Sequence, residues 1–423
     1  MQITFVAPFG LRQKTTVWAR ILPLARRLHG LGHGVTILIP PWDSPADAGQ
    51  SWVDHGVRVV NVRLGGGLPF VLWRLWRHMQ RERPAIVHIV KPRAHAGLIQ
   101  WLLWPRHRWR KFIPPFPAHL PAKCSEPSSR LGSARGQRRA ANAPHIILDI
   151  DDWEQAWAAI NHYPWPAARF LAWQEEWGIR HADAITAAST WLMARAAIYA
   201  PSTPRLYLPN GVAAPERSAF GKPDRSSADA RTKTILYYTR FVEIEPAWLA
   251  AFWRALQQQV GAVTLEVAGN ALVAGREAAF KEAVDLATQP DNRVNWRGFV
   301  DPEMQDQLYA AADCAIFPAQ PVPLQQAKCS VRLATTLLHG VPVVASAVGQ
   351  QAEYGGDGAA HLVAADAAPY EFATAVAQLL AQPAQRAAMI ERAHGRLLTQ
   401  FNWDDLGDQL AAFYTELLTA GPS

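Results

Sequence analysis

The chain has 423 residues, more than one hydrophobic core usually serves, and its 49% apolar against 18% charged residues exclude a disordered chain. Three cysteines, Cys124, Cys314 and Cys329, lie far apart without CxxC spacing, which argues against a disulfide framework or a zinc site and suits a reducing cytoplasm. The net charge of +7 is concentrated in residues 104–143, where nine Lys/Arg face Glu126 alone and leave the rest at −1, so the charge does not describe a nucleic-acid binder.

The opening MQITFVAPFG lacks a basic leader and reads as a first strand, Ile3–Val6, closed by Pro8, Phe9 and Gly10. Val17, Ile21, Leu24 and Leu28 recur at helical spacing, and Gly30 and Gly32 end that helix. Val35–Ile39 is the next strand. Strand, glycine turn, helix and strand make a βαβ unit, which predicts a parallel sheet. Val57–Val62 and Ala85–Val90 continue the series, with a Trp- and Arg-bearing helix over Leu72–Arg81 between them.

Residues 104–143 show no steady period and read as an insertion in the first domain. Order resumes with a strand at Ile146–Ile150, then a helix carrying Trp153, Trp157, Trp165, Trp173 and Trp177, then strands at Ala184–Ala188 and Arg205–Leu208. A Pro-, Ser-, Lys- and Asp-rich linker is expected over 213–232, between a domain at 1–212 and one at 233–400. The second series has strands at Thr234–Tyr238, Thr264–Ala268, Val294–Trp296, Cys314–Phe317, Val341–Ala345 and His361–Val363. The terminal stretch 401–423 is read as a helix, Trp403–Leu418, crossing back onto the first domain. The predicted architecture is two Rossmann-like, doubly wound parallel-sheet domains facing a cleft. No apolar run is long enough to span a bilayer.

Asp149 and Asp151 follow an apolar strand and share one face of an extended chain. They stand where open α/β sheets place ligands and could serve a substrate or a divalent ion, while Asp152 could cap a helix. His88 and His95 flank the end of the fourth strand and face the same cleft, or act as structural hydrogen-bonding groups. In the second half, Ser330 is a candidate N-cap, and Lys328 and Arg332 flank that helix start. Cations at the positive end of a helix dipole are unfavourable unless an anion joins them, which points to a phosphate site. Lys14, Thr15 and Thr16 after Gly10 invite a P-loop reading, but Gln13 stands where that motif requires glycine.

Several runs together resemble glycosyltransferase family 4 and its relatives: LPNGV at 208–212, VAG at 267–269, WRG at 296–298, YAAAD at 309–313 and GVPVVAS at 340–346, then Val348, Gly349 and Glu353. Gly32 and His33, and ADAIT at 182–186 before Ser189, are similar to it as well. The resemblance implies a GT-B fold and transfer of a sugar, with retention and without a metal or other cofactor, from a nucleotide-diphosphate sugar to a glycan or lipid-linked acceptor. It implies donor contacts from Gly10, Arg240, Gly269, Lys328, Ser330, Arg332 and Glu353. In that context Asp149, Asp151 and His88 are read as acceptor-orienting residues. Two glutamates usual in the family are replaced by Ala327 and Thr335, and the lysine usual after Arg240 is missing. A relative that binds donor without turnover, or a sugar-nucleotide epimerase on the same fold, is the alternative. The Trp/Arg helix at 72–81 and the basic, Trp-bearing stretch that follows Ile99 resemble an interfacial surface, hence a cytoplasmic protein with peripheral contact at the inner face of the membrane.

Overall fold

The computed structural model describes residues 1–11, 16–110, 143–215 and 232–420. Most of the expected insertion and linker, as well as Lys14 and Cys124, lie outside these residues. The first sheet contains β1 (Gln2–Val6), β2 (Gly34–Ile39), β3 (Ser51–Asp54), β4 (Val57–Asn61), β5 (Ile86–Val90), β6 (His145–Ile150), β7 (Ala184–Ala187) and β8 (Arg205–Tyr207), in the order β3-β4-β2-β1-β5-β6-β7-β8. All neighbours are parallel except the edge hairpin β3–β4, which the sequence reading did not foresee. Val53 on β3 is exposed, so this strand lacks the apolar run of the central strands. The second sheet contains β9 (Lys233–Tyr238), β10 (Val263–Ala268), β11 (Arg293–Gly298), β12 (Cys314–Phe317), β13 (Val343–Ser346) and β14 (His361–Val363), all parallel, in the order β11-β10-β9-β12-β13-β14.

The fold class agrees with the reading of the sequence, because strands buried on both faces are near-continuous apolar runs. Ile3 pairs with Val35 on one side and Ile86 on the other, and all three are buried. Val17, Ile21, Leu24 and Leu28 are buried as their spacing demanded. Their helix opens with a wide π turn, Val17–Ile21, and continues as Leu22–Gly30.

Three expectations need correction. The Trp-rich segment is two helices, Glu154–Ile160 and Trp165–Arg180, separated by a turn where His162 takes φ 49° and Pro164 precedes the second helix. A helix, Ala94–Arg110, runs into the stretch read as aperiodic. Strand β13 starts at Val343 rather than Val341, after Pro342, which has no N–H for the ladder.

The last helix, Trp403–Thr419, lies on the first domain. Leu406, Leu410, Phe413, Tyr414 and Leu417 join the cluster around Ile3, Phe5 and Leu28. Arg27 holds Asp408 at 2.7 Å beside this seam. The chain thus crosses between the domains twice, and the crossings touch: the Val212 N–H donates to the Phe401 carbonyl at 2.7 Å. Among the described residues no helix is long and apolar enough to cross a membrane.

Candidate active site in the cleft

In each sheet the connections run outward in both directions from one central strand. In the second sheet this reversal lies between β9 and β12, and a pocket opens at their carboxyl ends, lined by Tyr237, Tyr238, Phe317, Lys328, Ser330 and Arg332, among others. Open α/β sheets place ligands at this position. Lys328 is extended (φ −70°, ψ 134°) between a short helix, Pro323–Ala327, and the helix Val331–Leu338. That second helix buries Leu333, Ala334, Leu337 and Leu338, which turns Arg332 to the other side.

Lys328 and Arg332 already hold an anion, and it belongs to the chain. Glu243 Oε1 lies 2.7 Å from Lys328 Nζ and 3.0 Å from Arg332 Nη2. Its other oxygen accepts from Thr239 Oγ1 at 2.9 Å and from the N–H groups of Val242 and Arg240 at 3.0 and 3.2 Å. Burial alone would raise the Glu243 pKa, but Lys328 and Arg332 hold it far below the usual carboxylate range. Arg332 also donates to the Tyr238 carbonyl at 3.0 Å and stacks over the Tyr238 ring. The Arg240 guanidinium makes no hydrogen bond or ion pair among the described residues. Burial and the neighbouring Arg332 lower its pKa.

Ser330 stands at the N-cap position, but its hydroxyl does not cap. Its φ −103°, ψ 43° departs from the extended geometry that brings a cap oxygen to the helix amides, and its own N–H donates to Gln350 Oε1. Gly269 has φ 120°, and a Cβ there would lie 1.9 Å from the Thr239 carbonyl oxygen. The glycine thus lets the ends of β9 and β10 close together under the pocket. Glu353 points to the first domain and not into the pocket. It accepts from the Thr190 N–H at 2.8 Å, Thr190 Oγ1 at 2.7 Å and Tyr207 Oη at 2.6 Å, a favourable place for a carboxylate at a helix N-terminus. Ala327, where the resemblance expects a glutamate, is buried with the first domain's apolar cluster, so a carboxylate there would be desolvated.

The corresponding position of the first sheet is closed by its own partners. Asp149 forms a two-pronged pair with Arg20 at 2.6 and 2.7 Å and accepts from Thr186 Oγ1 at 2.6 Å, with Arg20 and Asp149 each only 2% exposed. Arg20 also donates to the Leu208 carbonyl and to Asn210 Oδ1. Burial pushes Asp149 up and Arg20 more than compensates, so the carboxyl stays below its ordinary value. His88 is buried between Thr186 and the Tyr414 hydroxyl, stacked on Phe5, and burial lowers its pKa to about 4. The acceptor-orienting reading of Asp149 and His88 does not fit this placement. Both serve to tie β5, β6, the first helix and the last helix together.

Asp151 is nearer the cleft, 3.1 Å from Lys91 Nζ, with Glu154 3.8 Å from the same ammonium and 2.6 Å from Arg93. Asp149 and Asp151 therefore take their closest ion pairs from different cations, Arg20 and Lys91. The Cys329 thiol donates to the Asp151 carbonyl at 3.2 Å, which brings this group to the edge of the pocket. Glu175 accepts from the N–H groups of Glu154 and Gln155, and burial followed by the Glu154 charge raises its pKa to about 8. The Gly10 N–H is taken by Asp43 Oδ1 at 2.5 Å, and a Cβ at Gly10 would meet Ser44 Oγ at 2.0 Å. Sequence reasoning missed Glu243, Arg93 and Glu175. They carry no periodic signal. The one hint for Glu243 is a carboxylate three residues after Arg240 in the loop that follows an apolar strand.

Two facing doubly wound domains, with a cationic pocket at the reversal point of the second, define a GT-B architecture. The family models agree: the glycosyl transferase 4-like domain matches residues 15–211, and glycosyl transferases group 1 matches residues 232–382. Together they span most of the chain, which belongs to this family of glycosyltransferases. Among solved structures, sucrose-phosphate synthase from Thermosynechococcus elongatus is similar at a TM-score of 0.69 and 16% identity over 99% of both chains. Anabaena HepE in complex with UDP and glucose is similar at 0.62 and 15%, over 98% of this chain and 100% of that one. The catalytic domain of starch synthase IV from Arabidopsis thaliana, bound to ADP and acarbose, gives 0.64 and 13% over 99% of both. Among curated proteins none matches the chain in sequence.

Proposed function

We propose that the protein transfers a sugar from a nucleotide-diphosphate donor, held on the second domain, to a glycan or glycolipid acceptor lying over the first, with no bound metal. The observation that carries this reading is the cation set: Lys328 and Arg332 line the pocket with their counter-charge Glu243, and Arg240 lies close enough to feel Arg332 and Glu243. As the glycosidic bond breaks, charge grows on the β-phosphate, and donors fixed in advance at that point lower the barrier. The amides that open helix Val331–Leu338 add to the same field. The UDP and ADP bound by similar structures support a nucleotide-diphosphate ligand.

Titration calorimetry with UDP, GDP and ADP tests the donor site. Binding of one of them, weakened in Arg332→Ala, is expected, and absence of binding to all three overturns it. Turnover of the matching nucleotide sugar should survive EDTA, and its loss with recovery on adding Mg²⁺ would remove the metal-free part. Retention is the outcome implied by the family, and the anomeric signals of the product in NMR read it. The absent glutamates at Ala327 and Thr335 keep one second reading in play, a partner that binds donor without turnover. Saturable nucleotide binding with neither donor hydrolysis nor transfer across an acceptor panel would favour it.

On the acceptor side, Asp151, paired with Lys91, and Asp152, whose charge acts on Lys328, lie beside the pocket. An outer face of the first domain exposes Phe70, Trp73, Trp101 and Trp173, and Arg77 stacks on Trp73. Such a face suits the headgroup region of an anionic membrane, and with it a lipid-linked acceptor. Flotation with vesicles of phosphatidylglycerol but not of phosphatidylcholine is expected. Equal flotation with both, or with neither, counts against it.

A further inference from the structure

We infer that Glu243 is a positioning residue of the donor pocket, holding Lys328 and Arg332 by one oxygen so that their remaining N–H donors and the Arg240 guanidinium converge on a bound diphosphate. This rests on the nucleotide-diphosphate reading above. The carboxylate divides its work between its two oxygens. Oε2 is anchored to the turn after β9 by Thr239 Oγ1 and the N–H groups of Arg240 and Val242. Oε1 meets Lys328 and Arg332. Thr239 Oγ1 in turn accepts from the Phe241 N–H at 2.9 Å, and Phe241 takes φ 59°, so the turn is bound to itself.

A carboxylate anchored this way does not swing out to make room for phosphate. It stays beneath the cations as a buried counter-charge. Lys328 spends one N–H on it, Arg332 spends its others only on the Tyr238 carbonyl, and Arg240 spends none of its guanidinium donors, so most donors remain for a ligand. Three cations against Glu243, with Asp152 acting on Lys328 from the first domain, leave a positive surplus that suits a diphosphate.

The charged groups facing Lys328 are Glu243 from the turn after β9, Arg332 from the following helix and Asp152 from the first domain. Burial and Arg332 lower the Lys328 pKa, and Glu243 is the main group opposing them. Without Glu243 the ammonium loses its proton at a lower pH, and a neutral amine no longer attracts phosphate. Arginine at the same position would keep its charge.

Calorimetric titration of UDP, GDP and ADP from about pH 6.5 to about pH 9 decides the matter, because one unit of pKa shift is about tenfold in affinity for a charge-dependent ligand. The protein is expected to bind with little change over most of this range. Glu243→Gln is expected to bind more weakly and to lose about a further tenfold as the pH rises. Adding Lys328→Arg to Glu243→Gln is expected to remove that extra pH dependence. A Glu243→Gln protein that binds as well as or better than the parent, or whose profile runs parallel to it, overturns the inference while leaving the donor site standing. Failure of the parent to bind any of the three nucleotides overturns both. If Glu243→Gln does not fold by circular dichroism, Glu243→Asp carries the test. It keeps the charge but is too short to reach both the turn and the cations. Weaker binding with the parental pH profile supports the role, and unchanged affinity overturns it.

Discussion

The reversal points of the two sheets are built alike and used differently. In the first domain, Arg20 and Asp149 meet under the strand ends, and Thr186, Asn210, Leu208, His88 and Tyr414 complete or extend the hydrogen-bond network around them. In the second, Lys328 and Arg332 share a single carboxylate, and Arg240 has no side-chain partner among the described residues. A charge at the end of a parallel strand therefore does not by itself indicate a ligand site. What matters is whether the protein supplies enough partners to use that charge up. The first point acts as a buried clamp, and the second keeps donors to spare.

The comparison breaks most readily at the clamp. Asp149→Ala leaves the Arg20 guanidinium buried without its counter-charge and should cost about 3–5 kcal/mol in urea unfolding. A loss below about 1 kcal/mol, the range of exposed pairs, would mean the pair is not what holds this region. At the pocket the expectation is reversed. Arg332→Ala should weaken nucleotide-diphosphate binding by about 1.5–3 kcal/mol, the range of a charged hydrogen bond, with little change in melting temperature. A large loss of stability with unchanged affinity would make the second point a clamp as well.

Tyr414→Phe removes the hydroxyl that meets His88 and should cost about 1 kcal/mol with nucleotide binding unaffected. A further effect concerns pH. His88 is held neutral, with its pKa lowered by burial to about 4, against about 6.5 in the unfolded chain. Between these values the unfolded chain binds more protons, so stability from this group is present above about pH 6.5 and is lost as the pH falls toward 4. His88→Asn should flatten that part of the stability profile, and an unchanged slope would show that other groups set it.

Much of the fold was legible because its strands are buried on both faces. Cys314–Phe317 and His361–Val363 coincide with β12 and β14. The edge strand β3 was not legible, since a strand with one open side needs no continuous apolar run. At the site, the unfavourable pairing of Lys328 and Arg332 with a helix start pointed to an anion. It did not reveal that Glu243 supplies one from within. Glu353 also misled: its place in a donor-side run is real, but its partners are Thr190 and Tyr207 across the interface.

By itself the sequence determined two winding series and a last helix, because apolar periodicity and turn residues act within a few positions of one another, while the class of chemistry was implied by the resemblance of its motif runs to glycosyltransferase family 4. Only the tertiary structure decided which charges neutralise which. Arg20 and Asp149 are 129 residues apart, and Glu243 and Lys328 are 85 apart. At these separations pairing follows from how sheets and helices stack, and burial multiplies the strength of whatever pairs result.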